Sequence, residues 1–275
     1  MKSKIFQRFI AISLIAAGLC ALPVLARAVE REEVIPGRPE ITTRALIVTP
    51  DGVPPNPAIR AAAILFVGGN GDLSAMKNNF LLRIRQTLAQ AGILIAVPDA
   101  PSDRARRNNL QGNFRASEQH GRDIQGVVQY LKTQADVPVF VIGTSRGSTS
   151  AANAAARLGP ALIAGTALTS SVTKEGERGQ ISIYQTAVKD IRVPAFVLWH
   201  EQDGCSETPP DRARALAETL KASPKVTVKT LTGGSPPRSA PCEALSEHGF
   251  LGIEDQASAA ILAWIDEVLA ARAAR

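Results

Sequence analysis

The stretch VFVIGTSRGS over residues 139–148 constrains the chain more than any other. Its first residues are apolar and rich in β-branched types, which suits a buried strand, and the Ala-rich run over 149–158 suits a helix. Between them stands G-x-S-x-G, carried by Gly143, Ser145 and Gly147. A chain that turns from strand to helix within so few residues crowds its own backbone, and glycines on either side of the bend leave room for it. A serine held between them can take up a strained conformation that projects its hydroxyl. The helix that follows points unpaired N–H groups and a positive dipole end at the space where a negative oxygen would form. Ser145 is therefore the candidate nucleophile. The same small-residue turn also occurs where a helix merely packs closely on a sheet, so the partners decide.

Residues 1–28 read as a secretory signal. Lys2, Lys4 and Arg8 charge the start, an apolar stretch covers 10–22, and Ala26-Arg27-Ala28 offers small residues for cleavage. The apolar stretch is short for a membrane span and Pro23 interrupts its end, so no stable membrane anchor is expected after cleavage. Losing this segment removes four basic residues and no acidic one, taking the formal charge from +6 to +2. A nucleic-acid partner would need a concentrated basic face, so that class is set aside. Residues 29–275 suit one α/β domain.

Along that domain, residues 29–40 are polar, charged and broken by Pro36 and Pro39, and read as an extended arm. Buried strands are expected at 45–48, 61–67, 93–97, 161–168 and 194–199, with a further strand at 225–231. Helical spacing marks 76–91, 118–132, 210–222 and 256–271. The strand at 61–67 ends in Gly68-Gly69-Asn70-Gly71-Asp72, and a phosphate-cradling loop is not the reading, since the Lys-Ser/Thr of a P-loop is missing. The loop at 102–115 carries Arg104, Arg106, Arg107 and Arg115 and reads as a solvated surface segment. His120 and Asp123 fall on a helix ahead of the nucleophile strand and read as structural or surface groups, with His120 as catalytic base the alternative.

Late in the chain, the strand at 194–199 runs into His200-Glu201-Gln202-Asp203, and a Gly-, Pro- and Ser-rich loop delivers Glu247-His248-Gly249 before the last helix. With the G-x-S-x-G bend, these residues resemble the nucleophile elbow, strand-end acid and late histidine of the α/β-hydrolase superfamily, in the chain order Ser145, Asp203, His248. The resemblance spans roughly residues 45–271. It implies the α/β-hydrolase fold: a central, mostly parallel sheet with helices on both faces and, because the insertion at 172–190 is short, a small cap or none. It further implies that Ser145 attacks, His248 acts as general base, Asp203 orients it, and the backbone N–H groups of Asn70 and Arg146 form an oxyanion hole.

In an exported protein the two cysteines left after cleavage, Cys205 and Cys242, are expected to pair, joining the loop of the acid to the loop of the histidine. In the chain-entropy view such closure contributes about 4 kcal/mol at most. No C-x-x-C spacing or histidine pair points to a metal. The expectation is an exported serine hydrolase, periplasmic or extracellular, that cleaves small-molecule carboxylic esters without a cofactor. A peptidase or amidase using the same residues, and a non-catalytic binding protein on the same scaffold, are the alternatives.

Overall fold

The computed structural model describes residues 28–50, 58–105, 109–176 and 180–274. The expected leader, apart from Ala28, lies outside the described residues, as do Arg106 and Arg107. Eight strands follow one another among the described residues: β1 (Val29–Pro36), β2 (Thr42–Thr49), β3 (Ala61–Phe66), β4 (Ile93–Pro101), β5 (Val139–Thr144), β6 (Gly165–Thr169), β7 (Ala195–His200) and β8 (Val226–Leu231). They form one sheet in the order β1-β2-β4-β3-β5-β6-β7-β8. β1 pairs β2 and β2 pairs β4 antiparallel, while every other neighbouring pair is parallel. Every residue of β3, β5 and β6 is buried, as strands covered on both faces require.

Five helices cover the sheet among the described residues: α1 (Phe80–Gln90), α2 (Glu118–Gln134), α3 (Gly147–Leu162), α4 (Asp211–Thr219) and α5 (Glu254–Ala273). α1 and α5 share one apolar core with one face of the sheet, and α2, α3 and α4 share a second core with the other. In the first core Trp264 of α5 stacks on Phe196 with centroids 5.7 Å apart and meets Phe140 edge-on at 5.5 Å. None of these helices is long and apolar enough to cross a membrane.

Two sequence expectations change. Residues 29–36 are not an arm but the edge strand β1, in register with β2 from Val29↔Thr49 to Pro36↔Thr42. An edge strand faces water along much of its length, so charges such as Glu30 and Glu32 suit it where a buried strand would exclude them. The strand expected over 161–168 begins only at Gly165, because α3 runs on past a break at Gly159 (φ 57°) and Pro160 to Leu162. Apolarity alone cannot tell the end of a buried helix from the start of a buried strand.

Of the readings open for His120 of α2, the fold takes the structural one: it is a buried core residue. Its ring lies against Phe66 and Phe114, and its Nε2 is 2.9 Å from Ser150 Oγ on α3. Burial, reinforced by the nearby charges of Arg115 and Arg38, pushes its pKa from 6.5 down to about 3. The folded protein therefore holds His120 neutral between those values while the unfolded chain binds a proton, so stability falls as pH falls through that window. Urea unfolding between pH 6.5 and pH 5 should show a loss approaching about 1.4 kcal/mol per pH unit. The slope should flatten in His120→Gln, and an unchanged slope would remove His120 as its source.

Candidate active site

At the bend after β5 the backbone segments touch. A Cβ on Gly143 would lie 2.2 Å from the carbonyl oxygen of Gly147, and one on Gly147 would lie 2.0 Å from that of Phe66. Neither position can carry a side chain without moving the backbone against it, the start of α3 for Gly143 and the end of β3 for Gly147. Ser145, between them, sits at φ 53°, a left-handed conformation that costs a non-glycine residue about 1–3 kcal/mol. It is held there from both sides, its N–H donating to Thr169 O (3.1 Å) and its carbonyl accepting from Ser148 N–H (2.9 Å) and from Ser148 Oγ (2.7 Å). Arg146 follows in helical conformation as the cap of α3, so the first helical turn starts directly behind the serine.

The loops after β7 and before α5 meet at a second point. His248 Nδ1 lies 3.0 Å from Asp203 Oδ2, with both residues buried. Asp203 also accepts from the Thr208 hydroxyl (2.8 Å) and from Cys205 N–H (2.9 Å), so its carboxylate is fixed on three sides. With Nδ1 protonated to meet the carboxylate, Nε2 is left as an acceptor, and no described residue bonds to it. The histidine's backbone is pinned as well, since Ser170 Oγ donates to His248 O (2.8 Å). His200 instead closes the end of β7, bonding Gly233 O through Nε2 and Gln202 N–H through Nδ1. Glu207 forms a two-pronged pair with Arg146 (2.8 and 3.1 Å), and Glu201 is exposed. Cys205 and Cys242 are joined in a disulfide that ties the two loops together.

The Gly68–Gly71 turn stands over the serine. A Cβ on Gly68 would fall 2.9 Å from Ser145 Cβ, so the two backbones are in contact. Asn70, the expected loop donor, lies beyond this contact: its side chain caps Asp72 N–H and its carbonyl accepts from Leu110 N–H. Beneath the turn is Arg115, which the sequence placed in a solvated loop. It is 2% exposed, and its Nη2 donates to the carbonyls of Val67 (3.1 Å), Gly68 (3.4 Å) and Gly69 (3.3 Å) while Nη1 donates to Ser150 Oγ (2.8 Å). Among the described residues no carboxylate pairs with it, and burial, with the nearby charge of Arg146, brings its pKa down to about 9. A buried guanidinium solvated by loop carbonyls is a clamp on that loop.

Ser145, His248, Gly68 and Gly69 line one cavity of about 530 Å³, walled on one side by Met76, Phe80 and Leu245. Ser145 and His248 face this shared space without a hydrogen bond between them. Among the described residues, no group of three or more His, Cys, Asp or Glu side chains is arranged to hold a metal. No protein-family model matches the chain, and no curated protein matches it in sequence. Solved structures do match in shape. Est1E from Butyrivibrio proteoclasticus is 16% identical with a TM-score of 0.60, the match covering 87% of this chain and 99% of that one. A thermostable carboxyl esterase from Bacillus coagulans is 14% identical over the same shares, with a TM-score of 0.58. An α/β serine hydrolase without a lid, XC6422 from Xanthomonas campestris, is 15% identical over 82% of this chain and 92% of that one, again at 0.58.

This chain has the α/β-hydrolase fold.

Within that hydrolase fold, the sequence left two kinds of residue unseen. Thr208, which fastens the acid, and Arg115, which fastens the glycine turn, owe their roles to contacts between distant segments. The only local sign at Arg115 was the neighbouring Phe114, since an aromatic beside an arginine in a polar loop marks a place where the loop dips into the core. Arg115→Met leaves three loop carbonyls and Ser150 without their donor, and should lower stability in urea by about 3 kcal/mol. A loss below about 1 kcal/mol would show that the guanidinium is not the clamp. Replacing Cys205 and Cys242 together by serine should cost about 2–4 kcal/mol in the same measurement.

Proposed function

We propose that this chain is an exported serine hydrolase that cleaves small-molecule carboxylic esters through Ser145, His248 and Asp203. The observation that carries the reading is the buried His248–Asp203 hydrogen bond, with Ser145 held at positive φ in the same cavity. Asp203 keeps the Nδ1 proton in place and leaves Nε2 to take the proton from Ser145 Oγ as it attacks the ester carbonyl. The tetrahedral oxyanion is met by two backbone donors at the start of α3 and in the glycine turn. Arg146 N–H is the first. For the second we propose the Gly69 N–H in place of that of Asn70, because Gly69 lines the cavity that holds Ser145 and Asn70 does not.

Collapse of this intermediate releases the alcohol, protonated by His248. Water activated by the same Nε2 then frees the acid from Ser145. The reaction uses no cofactor. Solved structures of similar shape that are named carboxyl esterases support an ester, and a dipeptidyl peptidase 4 that also matches in shape keeps an amide as the second reading. The signal-like start and the disulfide support export to the periplasm or beyond.

A fluorophosphonate should add once to the mature protein and not to Ser145→Ala, read by intact mass, which also reports cleavage after Ala28. On p-nitrophenyl butyrate, Ser145→Ala and Asp203→Asn should each lower kcat by about 10³-fold or more. A folded wild-type protein that takes no adduct and turns over neither esters nor peptide amides would refute the hydrolase reading.

A further inference from the structure

Holding the glycine turn in place does not require a charge, and Arg115 brings one. Its Nη2 stands among three successive carbonyl oxygens, those of Val67 (3.1 Å), Gly69 (3.3 Å) and Gly68 (3.4 Å). The last two are long for N–H···O bonds, and a nitrogen with two hydrogens does not make three good ones. The contact is that of a cation solvated by backbone dipoles. Neighbouring residues build its place: Phe114 packs with Ala100 and Leu110, Arg104 lies over the Phe114 ring, and Leu110 N–H holds the next carbonyl, that of Asn70, at 2.9 Å. The segment from Leu110 to Arg115 thus holds four consecutive carbonyls of the turn.

Among the described residues this charge is not cancelled. The carboxylates nearby are taken, Asp123 by Arg38 and Glu207 by Arg146, while His120, reached through Ser150, is held neutral. With a pKa of about 9 the guanidinium keeps its charge at neutral pH, and its buried Nε has no partner. A buried cation without an acid is costly to the fold, so what it faces is informative. Gly68 touches both groups: its carbonyl meets Arg115, and a Cβ on it would fall 2.9 Å from Ser145 Cβ. Each carbonyl shares a peptide unit with the N–H of the next residue, so the cation polarises the units that carry the Gly68, Gly69 and Asn70 N–H groups. Whichever of these meets the substrate oxygen is a stronger donor for it. The neutral carbonyl of a bound ester gains little, and an oxyanion in a site of low dielectric gains much more.

We propose that Arg115 is a positioning residue of the oxyanion hole: its charge, acting through the peptides of the glycine turn, stabilises the transition state at Ser145 and hardly affects the bound ester. The proposal rests on the hydrolase reading above. Acylation and deacylation both pass through an oxyanion, so the effect falls on kcat whichever step is slower. A residue that served stability alone would leave the kinetics of the folded protein unchanged.

The test uses the full mature protein, with p-nitrophenyl butyrate as substrate and an alkyl trifluoromethyl ketone as transition-state mimic. Ser145 Oγ adds to the ketone carbon, its proton passes to His248, and the carbonyl oxygen becomes the anion. In folded Arg115→Met, kcat should fall by about 10- to 100-fold with KM within about 2-fold, and affinity for the ketone should fall by the same factor as kcat. Arg115→Lys, which keeps the charge, should regain most of both losses. If Arg115→Met does not fold, Arg115→Gln, which also lacks the charge, carries the same expectation. A kcat within about 2-fold of wild type, a loss of kcat with ketone affinity unchanged, or a Lys variant no better than the uncharged one overturns the role of Arg115 and leaves the hydrolase intact. A wild-type protein that turns over no ester overturns both.

Discussion

Three backbone segments meet at the bend after β5, and the rest of the site is measured from that contact. Gly147 touches the carbonyls of Phe66 and Val67 at the end of β3, Gly143 touches Gly147 and Ser148, and Gly68 touches Ser145. None of these approaches tolerates a Cβ, so the separation of the serine from the glycine turn is set by backbone and not by adjustable side chains. The strain at Ser145 belongs to the same arrangement. A residue at φ 53° would relax if its flanks were free, but hydrogen bonds to Thr169 and Ser148 hold both of them. The parallel sheet supplies that restraint, because β6 runs beside β5 in a register that ends at Thr144↔Thr169.

The loops around this rigid centre are fastened by polar groups buried at some cost. Among the described residues Arg115 has no acid paired with it, unlike Arg38, which meets Asp123 and Asp103, or Arg146, which meets Glu207. Its charge is stabilised by carbonyl dipoles and one hydroxyl, an arrangement that disfavours the charged form relative to water and depresses its pKa. Such a residue ties the glycine turn to α3 through Ser150, and through Ser150 to His120 on α2. The histidine loop is fastened by similar means. Arg83 of α1 donates to the carbonyls of Ala244 and Gly249 on either side of His248, and pairs with Glu254 at the start of α5. The glycine turn and the histidine loop are thus each held by a guanidinium on another element.

This explains which parts of the molecule were legible in the sequence. The buried strands announced themselves because a strand covered on both faces must be apolar throughout, and the bend after β5 because only small residues fit it. Ser145, Asp203 and His248 stood out as candidates by their places at strand ends and before the last helix, and the fold brings Asp203 to His248 and sets Ser145 and His248 in one cavity. β1 was not, because a strand paired along one edge has no need of an apolar pattern. Which N–H of the glycine turn faces the serine was not legible, because the turn is shaped by the carbonyls that Arg115 holds, and that is settled across some 45 residues of chain. Thr208 offered no signal at all, since a threonine after a turn is ordinary until the folded chain brings it to Asp203.

The same division accounts for structural neighbours at 14–16% identity that still align over most of this chain. What they must share to align is backbone: a strand order, a bend, and segments close enough to exclude side chains. Many sequences satisfy these conditions, because apolar strands and small residues at contacts are broad requirements. Loops can change the side chains they carry without disturbing the bend, which is why shape similarity fixes the scaffold and leaves the chemistry to the residues around Ser145.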